Sequence, residues 1–429
     1  MQKMFRLVIG WLRAIRPIFP QWLVNYTWHL PKAYLASRLH GNPASNLEII
    51  GVTGTDGKTT TTLLTYHILR VAKKRVAVVS TVEARVGRVK IDTGFHVTAP
   101  DPFPLQKFLK KVRSQKDRYV VLEATSHGLD QFRLFPIRPK IAVLTHITHE
   151  HLDYHKTIDA YRAAKLRLFR NAKHAVMNKD LPYFASLNRA LPGVLFSTYS
   201  IDADSQLRPS RVKYLQGKTK FTVGRIEYEL PLPGKYNLYN ALAAMSVALI
   251  EGVAPADIKR ALATFPGVPG RFEAIENKKG IHAIVDFAHT PGALIELLTT
   301  IREQKGKSEK LIVVFGAAGQ RDVSKRPLMG RVAGELADHI VLTAEDPRGE
   351  DPVLIAKEIL SGVVERDVKK CKIITDRAKA IQYAVTKAER GDWVVVCGKG
   401  HEKAMNLDGW TETPWSDQQE TQKALGVKI

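Results

Sequence analysis

The chain has 429 residues, enough for two or three domains with their own cores, and its 45% hydrophobic and 25% charged content is that of a globular protein. Two cysteines, Cys371 and Cys397, exclude a disulfide scaffold or a multi-cysteine zinc site and fit a reducing cytoplasm. A formal charge of +23 suits an anionic substrate or an acidic membrane surface; no nucleic-acid partner is expected, because the basic residues are spread out and no nucleic-acid-binding motif accompanies them.

The first 46 residues carry Lys3, Arg6, Arg13, Arg16, Lys32 and Arg38 and no acidic residue. Phe5, Val8, Ile9, Trp11, Leu12 and Ile15 recur among them at roughly helical spacing, and a charge every few residues excludes a spanning helix. Two readings stand: a short helical extension packed on the body with its charges solvated, or an interfacial helix touching anionic lipid.

From Leu47 the pattern becomes α/β. Leu47, Ile49, Ile50 and Val52 read as a buried strand, and Leu63, Leu64, His67, Ile68 and Val71 recur at helical spacing. Between them runs Gly51-Val-Thr-Gly-Thr-Asp-Gly-Lys-Thr-Thr60. Glycines let such a turn aim its N–H groups inward, and the following helix adds its positive N-terminal end. Gly54, Thr55, Asp56, Gly57 and Thr60 form this triphosphate cradle, with Lys58 a mobile charge for outer phosphates and Thr59 a hydroxyl for magnesium. Gly51 and Gly57 stand one residue further apart than the common G-x4-G-K-[ST] spacing allows.

Strands follow at Arg75–Ser80, Tyr119–Glu123 and Ile141–Thr145, with a helix from about Leu105 to Val112. Alternating strands and helices imply a mainly parallel sheet with its ligand site at the strand carboxyl ends, where Glu123 and Thr145 fall beside the cradle. Glu123 is placed to hold magnesium, or else to pair with a lysine. The loop Thr145-His-Ile-Thr-His-Glu-His-Leu-Asp-Tyr-His155 invites zinc by its four histidines, but their spacing matches no known helix motif and the phosphate site beside it favours magnesium. Lys165, on an amphipathic helix, reads by composition alone as solvated surface.

Short strand-like pieces occupy Ser197 to Leu232, and a helix runs from Asn237 to about Glu251. Pro266-Gly-Val-Pro-Gly270 is the best interdomain linker, and beyond it a Rossmann-like series begins at Ala283–Asp286. The expected domains are a short basic segment over residues 1–46, an ATP-binding domain over 47–269 and an amino-acid-binding domain over 270–429. Gly316–Asp322, Thr343–Arg348 and Gly398–Glu402 end strands of the second domain and carry both charge signs, as an amino-acid zwitterion requires.

In order along the chain, the cradle, Glu123-Ala-Thr-Ser-His-Gly128, His149-Glu-His-Leu-Asp-Tyr-His155, Tyr161-Arg-Ala-Ala-Lys165, Gly234-Lys-Tyr-Asn-Leu-Tyr-Asn240, Gly270-Arg-Phe-Glu273, Asp286-Phe-Ala-His-Thr-Pro291, Arg321–Pro327, Asp346-Pro-Arg348 and Gly398-Lys-Gly-His-Glu402 resemble the Mur ligases. These are ATP-dependent amide-bond ligases of peptidoglycan precursor synthesis, and the resemblance is strongest to the type that adds the third residue, meso-diaminopimelate or lysine, to UDP-MurNAc-L-Ala-D-Glu.

The resemblance implies roles. Lys58 and Thr59 would serve the γ-phosphate and a first magnesium shared with Glu123; His151 and Lys165, the latter N-carboxylated (carbamylated), would serve a second. Asn240, Arg271 and Asp286 match nucleotide contacts, and Thr98, Ser126 and Arg133 match contacts to the muramoyl-peptide acceptor. Arg321, Asp346, Arg348, Gly398 and Glu402 match the pocket for the free amino acid. The expected enzyme is cytoplasmic and monomeric, and peripheral membrane contact through its N-terminus stays open as one of the two readings of that segment.

Two departures stand out. The segment before Leu47 is about half as long as the family's UDP-binding domain, which leaves a lipid-linked or otherwise altered acceptor as an alternative. Asp346 replaces the asparagine of the diaminopimelate enzymes; Arg348 favours a second carboxylate on the amino acid, while Asp346 favours a free amine such as that of lysine. A folate polyglutamate or cyanophycin-type ligase would share the cradle but not the later motifs, and a non-catalytic protein retaining the fold would be expected to lose Lys58, Glu123 or Lys165.

Overall fold

Short apolar runs bounded by glycine and polar turns fold as the buried strands of two sheets in the computed structural model, which describes residues 19–91, 100–148 and 150–427. Thr98, His149 and the Phe5–Ile15 stretch lie outside the described residues.

The first sheet contains β1 (Glu48–Thr53), β2 (Val76–Val79), β3 (Ala84–Val86), β4 (Val89–Ile91), β5 (Tyr119–Glu123), β6 (Ile141–Leu144), β7 (His174–Asn178) and β8 (Leu195–Tyr199). Its order is β4-β3-β2-β5-β1-β6-β7-β8. The six strands from β2 to β8 in that order are parallel, and at the edge β3 runs antiparallel to both β2 and β4. Helices Lys58–Val71 and Lys235–Ile250 pack together over one face, and a separate apolar core that includes Phe108, Leu109 and Phe169 fills the other. Val52 pairs with Glu123 and Thr53 with Leu144, so the sheet's register delivers the cradle, the carboxylate and the histidine loop to one rim. The strand-like pieces after Ser197 include β9 (Ser210–Leu215), β10 (Lys218–Val223) and β11 (Ile226–Leu230), a small antiparallel sheet.

The second sheet holds β12 (Glu273–Ile275), β13 (His282–Asp286), β14 (Leu311–Phe315), β15 (His339–Leu342), β16 (Cys371–Ile373) and β17 (Trp393–Cys397). Its order is β12-β13-β17-β14-β15-β16, parallel except for β12, with a core on each face. This is the expected Rossmann-like layering. The last helix, Asp417–Leu425, is fastened by a fully buried pair: Arg377 donates to both carboxylate oxygens of Asp417 at 2.8 and 2.7 Å, and to the carbonyls of Ala344 and Cys397.

Two helices are longer than their apolar periodicity predicts. The Pro102–Ser114 helix starts three residues before Leu105 because Asp101 caps the amide of Phe103 and Pro102 occupies the first turn, where a missing N–H costs nothing. The Lys235–Ile250 helix starts two residues before Asn237, directly after Gly234 with φ +94°. Near the N-terminus, Gln21–Leu39 is helical with a π turn at Asn25–His29, and it packs on the first unit.

Candidate active site

The cradle is a turn that only glycine fits at two places. A Cβ on Gly54 would lie 1.9 Å from the Thr145 hydroxyl, and one on Gly57, at φ +78°, would lie 2.2 Å from Oδ1 of Asn240. At these close approaches Thr145 donates to the carbonyl of Asp56 at 2.6 Å, and the amide of Thr55 donates to the carbonyl of His146 at 2.6 Å. The turn is thereby sewn to the end of β6 before the helix begins at Lys58. The Lys58 ammonium folds back on the carbonyl of Thr55 at 2.6 Å.

One helical turn positions Thr59 under the end of β5. Its hydroxyl lies 3.0 and 3.1 Å from the two carboxylate oxygens of Glu123, which also accepts from the amide of Thr81 at 3.0 Å. No lysine takes this buried carboxylate among the described residues. Two hard oxygen donors side by side at a phosphate cradle suit a magnesium ion.

Lys165 overturns the composition reading. It is 1% exposed, donates to the carbonyl of Gly54 at 2.6 Å, and holds its nitrogen 4.3 Å from the centre of the Tyr161 ring. Burial, with the charge of Lys58 added, pushes its pKa well below the ordinary lysine value. Four residues along a helix carry it inward because Tyr161 and Ala164 on the same face are core residues. His151, in a left-handed conformation at φ +56°, faces the Glu150 carboxylate; burial lowers its pKa, and that carboxylate opposes the shift. The neighbouring His127 ring, 4.7 Å from that of His151, is pushed down to about 3 by burial and by the other histidines.

One cavity of about 1000 Å³ joins the two units. Its lining includes Thr55, Asp56, Gly57, Lys58, Thr59, Thr60, Glu123, Arg133, His151, Asn240, Arg271, Asp286, Arg321, Asp346, Arg348 and Glu402. Gly54, Ser126, Lys165 and Gly398 stand outside that lining, and Thr98 is not among the described residues. Arg133 grips Oε1 of Gln131 at 2.6 and 2.9 Å beside the helix that Ser126 opens. Asp286 differs in emphasis from a plain nucleotide contact: its oxygens accept from the amides of Phe272 and Ala288 at 2.6 and 2.7 Å and so pin the linker turn, while Arg271 lies over the Phe287 ring.

At the far end, the Asp346 carboxylate is already occupied. Lys399, 1% exposed, donates to it at 2.8 Å, the amide of Asn406 donates at 3.0 Å, and Arg348 stands 3.5 Å away. Lys399 also pairs with Glu402. Arg321 lies near Arg348, and burial with that like charge lowers its pKa. Arg326, fully buried between Glu350 and Glu358, donates to the carbonyl of Ala318 and shapes the loop that presents Arg321.

Sequence reasoning passed over Glu150, His289, Lys325, Asp180 and Tyr239, all of which line the cavity. Glu150 and His289 sit inside motifs already noted, so their signal was present; what was hidden is that the two motifs meet. The His289 ring lies 3.1 Å from the Glu150 carboxylate.

Residues 52–248 match the Mur ligase middle domain and residues 270–400 the Mur ligase glutamate ligase domain. The chain belongs to the Mur ligase family. Among relatives of this Mur ligase, a UDP-N-acetylmuramoyl-L-alanyl-D-glutamate–2,6-diaminopimelate ligase of Syntrophomonas wolfei is 39% identical over 379 residues, 86% of this chain and 76% of that one. A UDP-N-acetylmuramyl-tripeptide synthetase of a Roseiflexus species is 38% identical over 416 residues, 92% of this chain and 81% of that one. A solved diaminopimelate ligase of the same description superposes with a TM-score of 0.63 at 31% identity, covering 94% of this chain and 82% of that structure. The protein is accordingly an ATP-dependent ligase joining an acid to an amino acid.

Proposed function

We propose that this Mur ligase adds meso-diaminopimelate to the D-Glu carboxylate of UDP-MurNAc-L-Ala-D-Glu, working in the cytoplasm as a monomer. The observation that carries the reading is the single cavity that runs from Lys58, Thr59 and Glu123 to Arg321 and Arg348. Residues 47–269 would bind ATP and the acceptor, and residues 270–429 the amino acid. The Syntrophomonas relative acts on this acceptor and this amino acid by its description, and the Roseiflexus relative is described as a synthetase of the UDP-N-acetylmuramyl-tripeptide.

The chemistry needs charge neutralisation first. The acceptor carboxylate attacks the γ-phosphorus of ATP, giving an acyl phosphate and ADP; the amine then attacks the acyl carbon, and phosphate leaves from the tetrahedral intermediate. Lys58, freed from the Thr55 carbonyl, would follow the transferring phosphoryl group. Magnesium at Thr59 and Glu123 would supply additional neutralisation when bound. A second ion needs an oxygen donor near His151, and Lys165 would furnish one as a carbamate: its lowered pKa provides the neutral amine that reaction with carbon dioxide requires. Carbamylation would exchange the bond to the Gly54 carbonyl for a carboxylate-like group. Arg133 would hold the acceptor peptide.

The pairing of Asp346 supports the dicarboxylic amino acid. Lys399 bonds it at 2.8 Å inside the pocket, so that Arg348, standing 3.5 Å from it, and Arg321 remain to meet a distal carboxylate. ADP release with UDP-MurNAc-dipeptide and single amino acids tests this. Turnover with diaminopimelate well above that with lysine is expected, and no turnover with any amino acid would overturn the acceptor assignment.

A further inference from the structure

The helical segment Gln21–Leu39 is amphipathic in the wrong sense for a helix that merely packs on a protein. Small or polar residues, Asn25, Ala33, Ala36 and Ser37, face the body and are buried, while Trp22, Tyr26, Trp28, Tyr34, Leu35 and Leu39 face outward. Trp22 is 63%, Trp28 64% and Leu39 65% exposed. Single exposed apolar residues are ordinary, but six on one short segment are a patch that marks an interaction surface.

The chemistry of that surface selects a lipid interface. Tryptophan and tyrosine, which combine an apolar body with a polar tip, concentrate at membrane–water boundaries. Lys32 joins Asp101 at 2.5 Å near one end of the packed pair, and Arg113 reaches the carbonyl of Gly41 at 3.5 Å near the other, so helices Leu30–Leu39 and Pro102–Ser114 lie side by side in the same direction. The second helix buries Leu105, Phe108, Leu109 and Val112 and exposes Lys107, Lys110, Lys111 and Arg113. An aromatic ridge with a basic row alongside it is the composition that anionic bilayers attract. Every charged residue before Glu48 is basic, which extends the same sign along the chain.

We propose that the outward face of Gln21–Leu39, with the exposed lysines of the adjoining helix, docks this enzyme on an anionic phospholipid surface. The docking face is wired to the acceptor end of the cavity. Asn25 donates to the Asp130 carboxylate at 2.8 Å, Tyr26 packs on Phe132, and Asp130 in turn accepts from the hydroxyl of Tyr154 in the cavity wall at 2.8 Å. Docking therefore brings the acceptor entrance close to the bilayer. The inference rests on surface chemistry and is independent of which amino acid is added.

Full-length protein sedimented with vesicles of phosphatidylcholine containing phosphatidylglycerol, against phosphatidylcholine alone, provides the test. Binding to the anionic vesicles is expected, with a blue shift of tryptophan emission that Trp22→Ala and Trp28→Ala diminish. Lys107→Gln with Lys110→Gln and Lys111→Gln is expected to weaken binding roughly a hundredfold, as the loss of three surface lysines near anionic lipid implies. Both sets change exposed side chains only, and ADP release in lipid-free solution should match wild type. Equal sedimentation of wild type and variants, or none with anionic vesicles, overturns the proposal. So does a concentration-dependent dimer that Trp28→Ala disperses, which would assign the face to a second copy of the chain.

Discussion

Glu150 and His289 meet across the cavity at 3.1 Å, one from the loop after β6 and the other from the loop after β13. The carbonyl of His289 also accepts from Lys325 at 2.7 Å, so a single loop links the histidine rim of the first unit to the helix Lys325–Leu336 of the second. Burial opposes charge on Glu150, but His151, His289 and Lys58 outweigh it and hold its carboxyl below the usual range. The contact between Glu150 and His289 is a direct side-chain bond between the two units across the cavity. A double-mutant cycle with Glu150→Gln and His289→Ala in urea unfolding is expected to give a coupling energy of about 1–3 kcal/mol. Strict additivity would mean that the two units close without this bond.

Lys165→Ala is expected to lower turnover roughly a thousandfold, the scale on which removing a preorganised electrostatic group acts. Added bicarbonate should not restore it. Carbon-13 NMR of the wild-type enzyme in labelled bicarbonate should show a carbamate signal that Lys165→Ala lacks; identical spectra would dismiss the modification.

Arg348→Met is expected to raise the KM for diaminopimelate by roughly 10–100-fold, the worth of one hydrogen bond to a charged group. Its effect on the KM for ATP should be small if Arg348 serves the amino acid as proposed. A rise in both would place it elsewhere in the reaction.

The Arg377–Asp417 pair supports a stability prediction away from the site. Arg377→Met leaves Asp417 buried without its partner and is expected to cost about 3–5 kcal/mol in chemical denaturation. Arg377→Met with Asp417→Leu should recover much of that loss, since a matched apolar pair leaves no buried charge unpaired.

Asp180 should make thermal stability acid-sensitive. Burial pushes its pKa up, but the amides of Ile201, Ala203 and Asp202 and the hydroxyl of Tyr239 outweigh burial and depress it. A depressed folded-state pKa stabilises above the unfolded value of about 3.9 and is lost as pH falls through the folded one. The Tm difference between wild type and Asp180→Asn should therefore be full at neutral pH and vanish under strong acid. A constant difference would remove Asp180 from the acid response.

Much of the fold was legible because its signals are local. The apolar strand before Gly51 and the helix after Lys58 appear where their periodicity places them, and the strands of the Rossmann-like sheet follow their valine- and isoleucine-rich runs. Helix starts at Pro102 and Lys235 were not, because a capping Asp101 in one case and the positive-φ Gly234 in the other, rather than apolar repeats, precede them. Within the site, Thr59 beside Glu123 was foreseeable from two strand ends in one parallel sheet. Asp346 looked like added negative charge until Lys399, far along the chain, was found bonded to it.

The sequence by itself determined the order of elements, the glycine turn that opens the helix at Lys58 and the family, because backbone periodicity and contiguous motifs are properties of neighbouring residues. Only the tertiary structure decided that Lys165 is buried behind Gly54, that Glu150 reaches His289 and that the N-terminal helix turns its tryptophans outward. Each of these depends on groups brought together from distant parts of the chain, and burial changes a side chain's charge and reach in ways that its own neighbours in sequence do not encode.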